Sequence, residues 1–400
     1  MSTFYKVLLV ILDYFAHQRM KFVDHPDAGL SIERYLGKYD YPLEKHTIIT
    51  QDGYHLMAHR IPHGHNSNGT NRYPIVFVHG TCGAGELFLL PGFGKGLAWY
   101  LVERNFDIWL LNTRGNYHSR KHSTLNPDVD YQYWDFSWHE VGVYDLPASI
   151  DYILNVTKRT KLFYVGHSQG STEYLVLTTQ RPEYNDKIAL GINLAPSAFL
   201  GDGKYVVAKI ISKYRRLFKM VMQAFNFHEI FPYNSNPYIR ATLRYICSEV
   251  NTFVDVCNFI FNFPEDSLRV DPETFQLVFT YVPAGCSVKQ LLHYIQVMET
   301  SLFGLYDYGP KRNKKLYGVT VPPLYLIENI TAPTAYFYGA RDIVTKPEGI
   351  GQLISRTKRS EVLKIDETFS HVDFLFARDV TQVINEPLYR TIRKYTSLVH

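Results

Sequence analysis

The apolar positions of this chain fall in short dense runs separated by polar or glycine-rich stretches. Pro74-Ile-Val-Phe-Val-His79 and Phe106 to Leu111 are almost continuously apolar, the pattern of strands that a parallel sheet buries on both faces. Leu162-Phe-Tyr-Val165, Ile188 to Leu194, Thr334 to Tyr338 and Val362 to Ile365 repeat it. Between these runs, residues 95–103 and Tyr144 to Leu154 have the spacing of helices. Strand alternating with helix predicts an α/β fold, a mainly parallel sheet with helices on both faces. Residues 45–61 differ: two short strands around Asp52-Gly53 predict a hairpin. His63 to Tyr73 is polar throughout and reads as an exposed loop.

The alternation breaks near Pro196. From about 199 to 325 the chain is helical in pattern and rich in Phe, Tyr and Ile, as in Phe218-Lys-Met-Val-Met-Gln-Ala-Phe225 and Phe259-Ile-Phe-Asn-Phe263. The strand pattern returns at Thr334. The expected organisation is therefore a core formed by residues 24–198 and 326–400, with 199–325 inserted as a helical cap or lid. Such an insertion belongs over the carboxyl ends of the strands, where open α/β sheets place their ligands. Most of its aromatics would form the cap's own core and some would face the cleft.

Composition changes this picture little. Hydrophobic and charged fractions of 46% and 20% are those of a globular protein. A net charge of +4 is too small to imply a nucleic-acid partner. The basic run Lys311-Arg312-Asn313-Lys314-Lys315 reads as a solvated loop. The 31 Tyr and 25 Phe are the outlier and suit surfaces that meet lipid or a large apolar ligand, though dense cores use them too. At the amino terminus, residues 1–23 form a possible signal or anchor segment. Lys6 precedes the run Val7 to Leu12, which Asp13 ends without a small-residue cleavage site. No stretch approaches the ~20 apolar residues that span a bilayer. Asn68, Asn155 and Asn329 stand in Asn-x-Ser/Thr sequons and permit glycosylation on a secretory route. The four cysteines, 82, 247, 257 and 286, contain no Cys-x-x-Cys pair, so no zinc or thioredoxin motif is expected. Cys247 and Cys257 lie close enough to close a short loop by a disulfide, or are two buried thiols.

The strand at Leu162 ends in Gly166-His-Ser-Gln-Gly170, a Gly-x-Ser-x-Gly segment followed by a Pro- and Gly-free helical stretch. That is the form of a nucleophile elbow, which holds Ser168 proud of a sheet on a sharp turn. A serine hydroxyl is a weak nucleophile and needs a base oriented by a carboxylate. Asp342 follows the Thr334 strand, and His371 follows the Val362 strand, giving the order Ser, Asp, His. Asp366 and Asp373 are competing carboxylates nearby. An oxyanion hole needs two backbone N–H groups. Gln169, after the nucleophile, and Thr81, in the loop after the Pro74 strand, are positioned to supply them. No metal or cofactor is required.

Together these residues resemble the acid lipase family of α/β-hydrolases, the gastric and lysosomal group with its insect members. The similarity runs along nearly the whole chain. It includes His25-Pro-Asp-Ala28, Tyr41-Pro42 with Gln51-Asp-Gly-Tyr54, Asn112-Thr-Arg-Gly-Asn116 with Ser119-Arg-Lys-His122, and Trp134-Asp-Phe-Ser-Trp138 through Tyr144-Asp-Leu-Pro147. Gly166-His-Ser-Gln-Gly170, Pro283-Ala-Gly285 and Ser370-His-Val-Asp-Phe374 complete it. The resemblance implies an α/β-hydrolase fold and a serine lipase or esterase acting on neutral lipid esters, secreted or lysosomal. Ser168, Asp342 and His371 would be its triad, Thr81 and Gln169 its oxyanion donors, and Cys247–Cys257 a cap disulfide. The chain departs from the family pattern at Thr81-Cys82, where Leu usually follows His-Gly, and at Cys286, where a hydroxylated residue is usual. A soluble short-chain esterase or thioesterase, and a non-catalytic lipid-binding scaffold, are the competing readings.

Overall fold

The computed structural model describes residues 25–66, 72–200, 220–222, 227–231, 236–246, 269–342, 344–345, 347–365 and 368–399. The amino-terminal segment, the Asn68 sequon, Asp366 and the expected Cys247–Cys257 pair lie outside the described residues.

The hairpin forms as expected, from β1 (Glu44–Ile49) and β2 (His55–Ile61). Then come β3 (Tyr73–Val78), β4 (Phe106–Asn112), β5 (Leu162–His167) and β6 (Ile188–Leu194). A two-stranded ribbon of β7 (Glu229–Ile230) and β8 (Cys286–Ser287) stands apart. The main sheet closes with β9 (Thr334–Tyr338) and β10 (Ser360–Lys364), in the order β1-β2-β4-β3-β5-β6-β9-β10. Only the pairings of β2 with its two neighbours are antiparallel; the rest are parallel.

The alternation along each strand sorts side chains to two cores. Ile75, Phe77, Phe163 and Val165 face one apolar cluster, which also holds Trp99, Phe374 and Leu388. Val76, Val78, Leu162 and Tyr164 face the other, with Trp138, Leu175 and Ile330. Both faces are buried, which is why these strands read as unbroken apolar runs.

Between β6 and β9 the described regular structure is mostly helical: Asn236–Ile246, Pro272–Tyr281, Val288–Thr300 and Pro310–Tyr317. The last of these corrects the expected basic loop. Pro310 at its first turn and Gly318 just past its end delimit a helix that carries Lys311 to Lys315. Buried Asn313 ties it down by accepting from the Tyr308 N–H and donating to Asp307. Helix Val288–Thr300 packs on residues around the sheet. The Trp138 and His293 rings stack 3.7 Å apart, and Tyr294 meets Thr172 at 2.9 Å between hydroxyls.

Candidate active site

Four loops at the carboxyl ends of β3, β5, β9 and β10 converge on one point. At its centre Ser168 follows β5 with φ 54° and ψ −115°, a conformation few residues adopt without a reason. The sequence permits it because the flanking glycines remove two clashes. A Cβ on Gly166 would lie 2.5 Å from the Gly170 backbone, and one on Gly170 would lie 2.1 Å from the Val78 carbonyl. The Ser168 N–H donates to the Leu194 carbonyl at 2.9 Å, which fixes the turn to β6. Helix Gln169–Gln180 starts directly after it, so the hydroxyl sits at a positive dipole end.

Ser168 Oγ lies 2.8 Å from His371 Nε2, and His371 Nδ1 lies 2.8 Å from Asp342 Oδ2. Asp342 is buried and also accepts from Val344 N, Thr345 N and the Thr345 hydroxyl. Burial alone would raise its pKa, but His371 and the Thr345 donors outweigh it and hold the carboxyl below its ordinary value. The competing Asp373 is occupied elsewhere, accepting from the Ser370 N–H at 2.7 Å. The His371 loop is pinned from below by His167, whose Nε2 donates to the His371 carbonyl at 3.0 Å. Burial, together with the neighbouring His371, lowers the pKa of His167 to about 3, so it stays a neutral donor.

Thr81 and Gln169 are brought to the same place. Gly80 passes so close to Ser168 that a Cβ there would meet the Ser168 Cβ at 3.1 Å. The Thr81 hydroxyl donates to Gln169 Oε1 at 3.0 Å, and Gln169 Nε2 donates to Glu173 Oε1 at 2.9 Å. Glu173 is fully buried, and burial raises its pKa well above the ordinary carboxylate value.

A disulfide joins Cys82 to Cys286, across 204 positions. It ties the turn after Thr81 to β8, and the Ala284 N–H donates to the Cys82 carbonyl beside it at 2.8 Å. Sequence reasoning marked both cysteines as departures but did not pair them, because no local spacing connects them. It also missed Thr345, His167 and Glu173; the hydroxyl three residues after Asp342 was the available signal for the first. The two described sequons, Asn155 and Asn329, are exposed. Among the described residues no helix is long and apolar enough to cross a membrane. Among the described residues one group of potential metal ligands converges, His59, Glu86 and His118.

A serine on a strand-to-helix elbow, within an eight-stranded and mostly parallel sheet, defines an α/β-hydrolase. Comparison with known proteins agrees. Residues 73–219 match the family described as alpha/beta hydrolase fold, and residues 32–92 match the one described as partial alpha/beta-hydrolase lipase region. Lipase 1 of Drosophila melanogaster is 32% identical over 92% of this chain and 81% of its own length. Human gastric triacylglycerol lipase is 30% identical over 90% of each. An esterase from a Rhodococcus species superposes with a TM-score of 0.51 at 12% identity, covering 88% of this chain and 98% of its own, and so speaks for the fold. The chain belongs to the acid lipase family of α/β-hydrolases.

Proposed function

We propose that this protein hydrolyses carboxylic esters of neutral lipids through an acyl-enzyme on Ser168. The observation that carries the reading is the continuous relay from Ser168 Oγ through His371 to Asp342, with both contacts at 2.8 Å. His371 Nε2 takes the hydroxyl proton as Ser168 attacks the ester carbonyl. Asp342 holds the other ring nitrogen as the N–H tautomer and stabilises the imidazolium. The backbone N–H groups of Thr81 and Gln169 receive the negative oxygen of the tetrahedral intermediate. The proton then passes from His371 to the leaving alcohol, and water activated by the same imidazole releases the acid.

A lipid substrate is supported by the gastric triacylglycerol lipases among the relatives. The insertion 199–325 would act as the lid that selects the acyl chain. A secretory or lysosomal location fits the Cys82–Cys286 disulfide, which needs an oxidising compartment.

The test is hydrolysis of p-nitrophenyl esters of increasing chain length, beside emulsified triolein, by wild type and Ser168→Ala. We expect activity to rise with chain length and at the emulsion. The variant should lose about 10⁶-fold in kcat with unchanged circular dichroism. Activity confined to short soluble esters would retain the relay and remove the lipase. A Ser168→Ala protein with wild-type turnover would remove the relay.

A further inference from the structure

His59, Glu86 and His118 come from three separate elements. His59 lies on β2, Glu86 in the turn Gly85–Leu89 after β3, and His118 in the turn Tyr117–Ser119 after β4. One ligand atom of each lies within 4.8 Å of the others. His118 Nε2 is 2.7 Å from Glu86 Oε1, and His59 Nδ1 is 3.6 Å from the same oxygen. The pair at 2.7 Å accounts for one lone pair of the carboxylate and leaves the rest. Glu86 Oε2 and His59 Nδ1 are both buried without a hydrogen-bond partner, in residues 0% and 1% exposed. Native structures rarely leave such atoms bare, because each forfeits its hydration for nothing. Two unpartnered atoms in residues of one cluster, with His118 as a third ligand, are complementary to a cation.

We propose that His59, Glu86 and His118 form a binding site for a divalent transition-metal ion, with zinc the best fit. Two imidazoles and a carboxylate are borderline-soft donors that suit zinc rather than calcium or magnesium. Around a tetrahedral ion with ligands about 2.0 Å away, the donor atoms stand about 3.3 Å apart. The contacts at 2.7 and 3.6 Å straddle that value, and the two imidazole donors lie within 4.8 Å of each other, so side-chain rotations would draw the three around one ion. His118 is 22% exposed on its side chain, giving the ion a way in and a fourth position for water.

The ion would act on the turn that follows Thr81. Glu86 lies three residues beyond Gly83, whose carbonyl accepts from the Asn116 side chain at 2.7 Å and whose N–H donates to Gly80 at 3.0 Å. A bound ion would clamp β2, this turn and the segment after β4 into one unit.

The experiment is calorimetric titration of zinc chloride into chelator-stripped full-length protein at neutral pH, repeated with cobalt(II) to read coordination from its visible spectrum. Wild type should bind one equivalent, show tetrahedral cobalt bands without thiolate charge transfer, and gain thermal stability as zinc is added. His59→Asn and His118→Gln should each bind at least about tenfold more weakly. His118 is partly exposed, so its variant keeps the test valid should a change at a buried position prevent folding. The proposal is overturned if folded wild type takes up no stoichiometric ion, which would leave a Glu86–His118 ion pair alone. It is equally overturned if His118→Gln binds as wild type does, which would place the ion on other histidines.

Discussion

Arg114 is the largest fully buried charged side chain among the described residues, 2% exposed, and its neighbours explain why it is tolerated. Its guanidinium meets Asp52 through two contacts at 2.7 and 2.8 Å and Asp145 through Nε at 2.7 Å, with the Tyr54 ring 3.9 Å beneath. It thereby fastens the β1–β2 turn to the start of helix Leu146–Thr157. Arg114→Met would leave Asp145 buried and uncompensated, at a cost of about 3–5 kcal/mol. Urea unfolding of the variant reads that loss directly; a change under about 1 kcal/mol would mean that Asp145 relaxes to water. At this scale the sequence is most legible where chemistry demands a residue type on a strand end. Ser168, Asp342 and His371 are singled out that way, and the structure brings them within hydrogen-bond distance of one another. Their supports are not, because His167 and Glu173 act through burial, which a single sequence does not display.

At the scale of elements, the elbow depends on backbones approaching within contact distance. Gly170→Ala would push a methyl to 2.1 Å from the Val78 carbonyl, and neither β3 nor the helix can retreat without opening the core. Gly351, on helix Pro347–Arg356, has nothing within 4 Å of its would-be Cβ. Gly351→Ala should stabilise by about 0.5–1 kcal/mol, whereas Gly170→Ala should cost several times that or abolish soluble expression. Comparing the two thermal midpoints separates a steric requirement from general glycine sensitivity. Strands were legible because two-sided burial leaves them almost wholly apolar. The helix Pro310–Tyr317 was hidden because its surface is charged on nearly every side, and only its flanking Gly309-Pro310 and Gly318 mark it.

For the whole molecule, buried histidines set the response to acid. Burial lowers His79 to about pKa 4 and, with the nearby His371, His167 to about 3; burial also takes His293 well below its ordinary value. In the unfolded chain each takes up a proton near 6.5, so as pH falls below that value the unfolded state binds more protons and stability is lost. By pH 5 each contributes roughly 2 kcal/mol of this loss. Raised carboxyls act oppositely, but among the described residues Glu173 is the one that lies well above its ordinary value; Asp107, Asp145 and Asp373 are raised less far. The thermal midpoint should therefore drop between pH 7 and pH 5 in calorimetry. A midpoint that rose instead would show that the buried carboxyls dominate.

The Cys82–Cys286 bridge also governs what a protease can separate. Ser168 lies inside the covalent ring that it closes, while Asp342 and His371 lie outside. A single peptide bond cut between positions 82 and 286 produces two polypeptides but not two molecules. Wherever in that interval the cut falls beyond Ser168, the fragment bearing Ser168 stays tethered to the one bearing His371. Separation then requires a reductant as well as a protease.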